Sequence, residues 1–248
     1  LSDAALLEAV RICYQPIIRL ADLRADYVEV LVRAEDEHGT ISGPESIVDA
    51  MDDSDRAMRF TAAIMRRALA EYGAHGFAAH GLVLAFNLPL EAMLHPELVA
   101  QIESLRMESG LSPECIRFEL TERAPVHDLT AARIVIAQLR QAGYGLALDD
   151  ITPDMPYLAD LLAMPIRAIK LDRSVVISHS PAARSFIHAM TAQANAARQD
   201  IVAEGIETQA QHDTMLASGV THGQGFLFSR PLPAGGLSAY LGTPRGCN

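Results

Sequence analysis

Gly145-Leu146-Ala147-Leu148-Asp149-Asp150 is an apolar run that stops at two adjacent carboxylates, and Ile151-Thr152-Pro153-Asp154 turns the chain out of it. The run reads as a strand. Two neighbouring acids at a strand end repel each other unless a cation, a set of donors or a proton relieves them, so the pair is a metal-site candidate. Asp is equally a good helix cap and turn residue, and the pair alone admits that reading too.

Strand and helix alternate on both sides of this point. Residues 11–20 and 26–33 read as strands, the second carrying Glu29 among β-branched residues. Period two puts Glu29 on one face with Leu31 and Arg33, and apolar Leu31 argues that this face is closed to solvent. Over 55–72, Met58, Ala62, Met65 and Leu69 recur at three and four, which is the stripe of an amphipathic helix. Residues 82–87 form a nearly continuous apolar strand ending in Asn87, as in a strand covered on both faces. Helices follow over 96–109, 129–142, 157–163, 182–198 and 209–218, with strands at 116–120, 168–171, 201–204 and 223–228.

Such alternation builds an α/β fold, either a closed barrel or an open doubly wound sheet. No Gly-rich phosphate loop follows an early strand. Polar residues instead stand at or just past successive strand ends: Asn87, Glu119, Asp149 with Asp150, Lys170 with Asp172, Glu204 and Gln224. In a (β/α)8 barrel these ends converge on one mouth, where barrel enzymes keep their chemistry, and the barrel is the expected fold.

The 248 residues, half of them hydrophobic, suffice for one large domain. Cys13, Cys115 and Cys247 are odd in number and far apart, which argues against a disulfide framework or a zinc site and for a reducing, cytoplasmic setting. No apolar run is long enough to cross a bilayer. A net charge of −11 excludes a broad basic surface for DNA or RNA polymers, but an acidic pocket holds phosphates when divalent cations lie between. His75, His80, His179 and His188 lack metal-ligand spacing and read as surface or packing residues.

Glu29, Asn87, Glu119, Asp149 and Asp150 offer oxygen ligands only, a set suited to Mg²⁺ or Mn²⁺, with room for two ions. Lys170, held protonated by these acids, is placed to orient water or hold a phosphate rather than to form a Schiff base. Glu204 is placed to bind a second ion or take a proton from water, and Gln224 to meet a base edge or sugar. Each of these residues taken singly also has a structural reading as a loop cap or surface pair.

Taken in order, the motifs resemble those of the EAL-domain family of cyclic di-GMP phosphodiesterases over almost the whole chain. They are Tyr14-Gln15-Pro16-Ile17, Glu29-Val30-Leu31 at the signature tripeptide, Asn87-Leu88, Glu119-Leu120-Thr121-Glu122, Asp149-Asp150, Lys170-Leu171-Asp172, Ala203-Glu204-Gly205-Ile206-Glu207 and Gln224-Gly225. The resemblance implies a modified TIM barrel with one early strand antiparallel, residues 1–248 being a single such domain of a longer protein. It implies metal-dependent hydrolysis of cyclic di-GMP to linear pGpG. Glu29, Asn87, Glu119 and Asp149 would then hold one ion, and Asp149, Asp150 and Glu204 a second, with Lys170 ordering the attacking water. Arg33, Gln15, Glu207 and Gln224 would contact the dinucleotide, and Glu122 would anchor the loop after the paired acids. A homodimer, or an upstream regulatory domain carrying a sensory or membrane segment, are the partners implied beside the ligand.

That loop departs from the family pattern. Where Phe-Gly-Thr-Gly is usual stand Ile151-Thr152-Pro153-Asp154, followed by Met155-Pro156-Tyr157. Thr152 resists the positive φ that glycine permits, and Pro153 and Pro156 supply no amide donors. The expectation is retained binding with weak turnover, the alternative being a receptor module that binds cyclic di-GMP without hydrolysing it.

Overall fold

The computed structural model describes residues 9–35, 41–43, 53–93, 95–120 and 129–242. Its strands are β1 (Val10–Arg19), β2 (Ala25–Glu35), β3 (Ile41–Ser42), β4 (Val83–Leu88), β5 (Ile116–Leu120), β6 (Gly145–Ile151), β7 (Ala168–Leu171), β8 (Asp200–Ala203) and β9 (His222–Gly223). The helices, numbered in chain order, are α1 (Ser54–Ala74), α2 (Leu90–Met93), α3 (Leu98–Ser109), α4 (Leu129–Gln141), α5 (Leu158–Leu162), α6 (Arg173–Val176), α7 (Pro181–Ala197), α8 (Gln209–Ala217) and α9 (Ala234–Gly242).

The strands run β1-β9-β8-β7-β6-β5-β4-β2 around a ring that closes where β2 pairs back onto β1, and β3 hangs on the far end of β2. Every neighbouring pair in the ring is parallel except those made by β1, which is antiparallel to both β2 and β9. The fold is therefore the modified (β/α)8 TIM barrel with one antiparallel strand. The reason for the inversion is local. Only a short turn joins β1 to β2, closed by Arg19 N–H to Arg24 O (2.8 Å) and Leu23 N–H to Arg19 O (2.9 Å), whereas a parallel crossover needs a dozen residues or more.

The helices pack as their sequences dictate. In α1 the buried residues Ala57, Phe60, Ile64, Met65, Ala68, Leu69 and Tyr72 form one stripe, and Asp53 caps the start by accepting from the Arg56 amide. Ser180 and Pro181 open α7 in the same way, and a Thr208–Gln211 capping box opens α8.

Period two assigns the barrel interior. Toward the closed end, Ile17, Tyr27 and Val202 form their own apolar cluster against Val83. Arg117 lies over the Tyr27 ring at 4.2 Å and pairs with Asp200 at 3.1 Å. Above them the fully buried Ala85, Ala147 and Ala168 leave room for longer polar chains. Two residues further along the same strands come Asn87, Asp149 and Lys170, at the mouth.

The last strand is a correction. The sequence pattern extends it from 223 to 228, but β9 ends at Gly223 and the chain turns at Gly225. A Cβ at Gly225 would overlap the Ile206 backbone, so this glycine is what lets the two mouth loops touch. The Ile206 amide donates to Gln224 O (3.0 Å) and the Leu227 amide to Ile206 O (3.0 Å). Gly225→Ala should therefore lower the melting temperature by roughly 3–10 °C, the range for forcing atoms into a packed site of a domain this size. An unchanged melting curve would show that the loops part at little cost. No helix among the described residues is long and apolar enough to cross a membrane.

Candidate metal centre

Five strands, with the ends of two more, deliver the polar cluster. β2 brings Glu29, β4 Asn87, β5 Glu119, β6 Asp149 and Asp150, and β7 Lys170, while Glu204 and Gln224 stand just past β8 and β9. The parallel register sets Asn87 beside Glu119 and Glu119 beside Ala147, so that successive acids rise around the ring. Glu29 is 7% exposed, as its placement beside Leu31 implied, and Glu119 is wholly buried.

Lys170 is the hub. Its Nζ lies 2.7 Å from Glu204 Oε1, 2.9 Å from Glu119 Oε2, 2.9 Å from Asp149 Oδ1 and 3.6 Å from Glu29 Oε2. Asn87 Nδ2 donates to Glu29 Oε1 (2.8 Å), Gln224 Nε2 to Glu29 Oε2 (2.7 Å) and to Gln15 Oε1 (3.2 Å), and Gln15 Nε2 to Ser229 O (3.3 Å). The reading of Lys170 as half of a surface pair with Asp172 fails. Lys170 is 1% exposed, and Asp172 caps α6 by accepting from the Ser174 amide (2.8 Å).

One ammonium cannot neutralise this many carboxyls, and the pKa shifts record the strain. Burial pushes Glu119 well above the usual carboxylate range, with the charges of Glu29 and Asp149 adding to it. Burial carries Glu204 up to about 8 despite Lys170, and burial with the charge of Asp149 carries Asp150 to about 6. Burial also opposes ionisation of Glu29, but the Lys170 charge and the Gln224 and Asn87 bonds outweigh it and hold its carboxyl low. Against its own burial, Lys170 is raised by the surrounding acids and stays charged.

Among the described residues two acid triads emerge, Glu29-Glu119-Asp149 and Asp149-Asp150-Glu204, each with one ligand atom per residue within 4.8 Å of the others. Asp149 belongs to both. Glu119 Oε1, inside the first triad, is buried with no hydrogen-bond partner, a costly state that a cation would relieve. All-oxygen donors of this kind suit a hard divalent cation, and the residues fit such an ion.

Asp150 stands apart from the buried cluster. As a residue it is exposed although its carboxyl is partly desolvated beside Asp149, its φ is +54°, and the β6–β7 ladder skips between Leu148 and Ile151 where it bulges out. Its amide donates to Asp149 Oδ1 (3.0 Å), and Ile151 beyond it is fully buried. Thr152, expected to resist a positive φ, does not adopt one. The left-handed residues near it are Asp150 and Tyr157, at the two ends of the rewritten loop, which the sequence did not indicate. Glu122, the expected loop anchor, lies outside the described residues.

The remaining expected contacts sit on the rim or beyond it. Glu207 pairs with Arg173 at 2.8 Å, and its amide is held by Gln211 Oε1 (2.8 Å). Arg33 lies four residues past Glu29 on β2, with Nη1 donating to Val32 O (2.8 Å). The cluster does not include it. Sequence reasoning missed the pairing of Phe226 with Arg230, whose guanidinium carbon lies 4.3 Å from the ring centroid. The signal was an aromatic two residues after a polar strand end.

The family model described as the EAL domain matches residues 1–231. The cyclic di-GMP phosphodiesterase NbdA of Pseudomonas aeruginosa is 29% identical over 231 residues, which are 92% of this chain and 30% of NbdA. An uncharacterised protein of Azorhizobium caulinodans is 30% identical over 233 residues, 91% of this chain and 32% of the relative. The chain thus spans about a third of the length of these relatives. Among solved structures, the EAL enzyme Bd1971 in its cAMP- and cyclic-di-GMP-bound form superposes with a TM-score of 0.87 at 25% identity, covering 96% of this chain and 66% of that one. The PaMucR phosphodiesterase in its c-di-GMP complex gives 0.84 at 25% identity, covering 94% and 97%. With acids converging on one mouth from β2, β5, β6 and the loop after β8, and a family match over nearly its whole length, this chain belongs to the EAL domain family.

Proposed function

We propose that this domain binds cyclic di-GMP at the barrel mouth and hydrolyses it slowly to linear pGpG with the help of Mg²⁺ or Mn²⁺. The observation that carries the reading is the pair of acid triads sharing Asp149, with the Glu119 oxygen left without a partner inside. The relatives named as phosphodiesterases and the solved complexes with the dinucleotide supply the ligand. Bound there, divalent ions would generate a nucleophilic hydroxide and offset charge on the phosphoryl oxygens. Glu29, Asn87, Glu119 and Asp149 would hold the first ion, and Asp149, Asp150 and Glu204 the second. Lys170, charged and anchored by four carboxyl groups, orients the attacking water, and Glu204, where it is not engaged by the second ion, takes the proton from that water. Gln15 and Gln224 position the ligand, joined by Arg33 and Glu207 from further out.

Slow turnover follows from Asp150. Its exposed, left-handed placement in a bulge makes it the least firmly held of the ligands, and catalysis suffers more than binding from a misplaced group. The same observation favours a second reading, a receptor module without turnover. We place the domain in a longer cytoplasmic signalling protein, in keeping with the greater length of its relatives.

The test is to incubate the domain with cyclic di-GMP and Mg²⁺ or Mn²⁺, follow pGpG by chromatography, and measure binding in Ca²⁺. Slow, metal-dependent pGpG is expected. Binding without product under both metals would leave the receptor reading, and no binding would sink both.

A further inference from the structure

We infer that Arg173 is a positioning residue for Glu204, acting through the aliphatic stem it lays across Gly205, an inference that rests on the reading of Glu204 as a ligand of the second ion. Among the described residues the Glu204 carboxyl is tied to Lys170 alone (2.7 Å), and Lys170 is shared with Glu29, Glu119 and Asp149. The aim of the side chain is therefore set by the backbone beneath it, the segment Glu204-Gly205-Ile206-Glu207. That segment is pinned on both sides of the glycine. The Glu204 amide donates to Leu171 O (3.1 Å), the Ile206 amide to Gln224 O (3.0 Å) and the Glu207 amide to Gln211 Oε1 (2.8 Å). Gly205 itself has no hydrogen-bond partner among the described residues.

Arg173 covers that gap. A Cβ at Gly205 would lie 2.3 Å from Arg173 Cγ, 2.7 Å from its Cδ and 2.9 Å from its Cβ, so the stem rests directly on the glycine backbone. Gly205 also has φ of +69°, and the missing side chain serves the torsion and the contact together. The base of the stem is firm, because Asp172 donates its amide to Ile151 O (3.2 Å) and caps α6 through the Ser174 amide (2.8 Å). Lys170 stands three residues earlier, so one short segment governs both ends of the Lys170–Glu204 contact. Beyond the stem the guanidinium meets Glu207 at 2.8 Å, but the two side chains are 56% and 41% exposed, and an ion pair so open to water contributes little. The methylenes of a long cationic side chain pack where the charged head does not, and here they are the part that touches the loop.

The test separates stem from charge. Mn²⁺ calorimetry, with circular dichroism melting to verify folding, would compare the wild-type domain with Arg173→Ala, Arg173→Met, Gly205→Ala and the Arg173→Ala/Gly205→Ala double variant. Arg173→Ala should weaken the second Mn²⁺ by about 10-fold, the lower end for groups that orient metal ligands from one shell away, and leave the first near its wild-type affinity. Arg173→Met keeps the stem without the charge and should retain most of the affinity. Gly205→Ala should cost more in the wild-type background than beside Arg173→Ala, where the atoms it would strike are gone, and this non-additivity marks the contact itself. Unchanged Mn²⁺ binding in Arg173→Ala, whatever its melting temperature, would overturn the inference alone. So would Arg173→Met falling as far as Arg173→Ala, or additive losses in the double variant. A wild-type domain that takes up fewer than two Mn²⁺ would overturn the reading of a second ion and this inference with it. The titrations decide the matter whether or not pGpG forms, so a failure of hydrolysis and a failure of positioning are read separately.

Discussion

Asp149→Asn should lower Mn²⁺ affinity and metal-dependent turnover by more than ~100-fold while leaving the barrel folded. Partners one shell away from a metal are worth about 10–100-fold in affinity or activity, and Asp149 is nearer than that, contributing to both acid triads. The substitution is nearly isosteric and removes a charge from a cluster already over-supplied with acids. Lys170 keeps Glu119 at 2.9 Å and Glu204 at 2.7 Å, so it does not become an unpaired buried cation. Circular dichroism and melting should thus resemble wild type, within a few degrees. Asp150→Asn is the informative comparison. Asp150 belongs to one triad only and is exposed, so its loss should weaken Mn²⁺ binding less. Calorimetric Mn²⁺ titrations of the three proteins decide it. Equal losses in the two variants, or none in Asp149→Asn, would remove Asp149 from the centre of the site.

The barrel was legible because its signal is repeated: each strand ends in a polar residue, and only a closed ring brings Glu29, Glu119, Asp149 and Lys170 to one place. Glu29 was legible singly, since a carboxylate flanked by β-branched residues and sharing a face with leucine has little reason to be there. What escaped reading depended on contacts distant in sequence or on backbone torsion. Nothing in Gly223-Gln224-Gly225-Phe226 announces that Gly225 must meet Ile206, so the strand pattern ran on past its true end. Nothing in Asp149-Asp150 announces that the first points inward and the second bulges out with positive φ. The helix Ala234–Gly242 was missed because Gly235 and Gly236 open it and Pro231 and Pro233 precede it, all residues that read as loop. Lys170 was placed among the acids, but its four partners come from β2, β5, β6 and the β8 loop, a count that no local pattern carries.

The excess of acid around Lys170 has a measurable consequence. Stripped of divalent cations by a chelator, the domain should lose stability as the pH rises from about 5 to about 8.5, and saturating Mn²⁺ should cancel that loss. Burial holds Glu204 at about 8, burial and Asp149 hold Asp150 at about 6, and burial raises Glu119. A carboxyl whose folded pKa lies above its unfolded value keeps its proton after the unfolded chain has released it. The folded state then binds more protons, and raising the pH favours unfolding. This contribution is whole below the unfolded carboxylate range and drains away as the pH climbs through about 6 for Asp150 and about 8 for Glu204. Glu29, held low, runs the other way, but its stabilisation is lost only on acidification below the usual carboxylate range, outside this window. Lys170 stays charged throughout. Solvent screens the exposed Asp150, so Glu204 carries most of the net effect, which is on the order of a few kcal/mol, or a fall of roughly 5–10 °C in melting temperature for a domain of this size. Cation binding needs the same carboxyls deprotonated, so it must release protons, and its affinity must rise with pH. Melting curves with chelator and with Mn²⁺ across this range, and Mn²⁺ calorimetry in two buffers of different ionisation enthalpy, read both halves of the linkage. A chelated domain that gains stability over this range, or Mn²⁺ binding without proton release, would show that the acids are already ionised and that Lys170 alone suffices to hold them together.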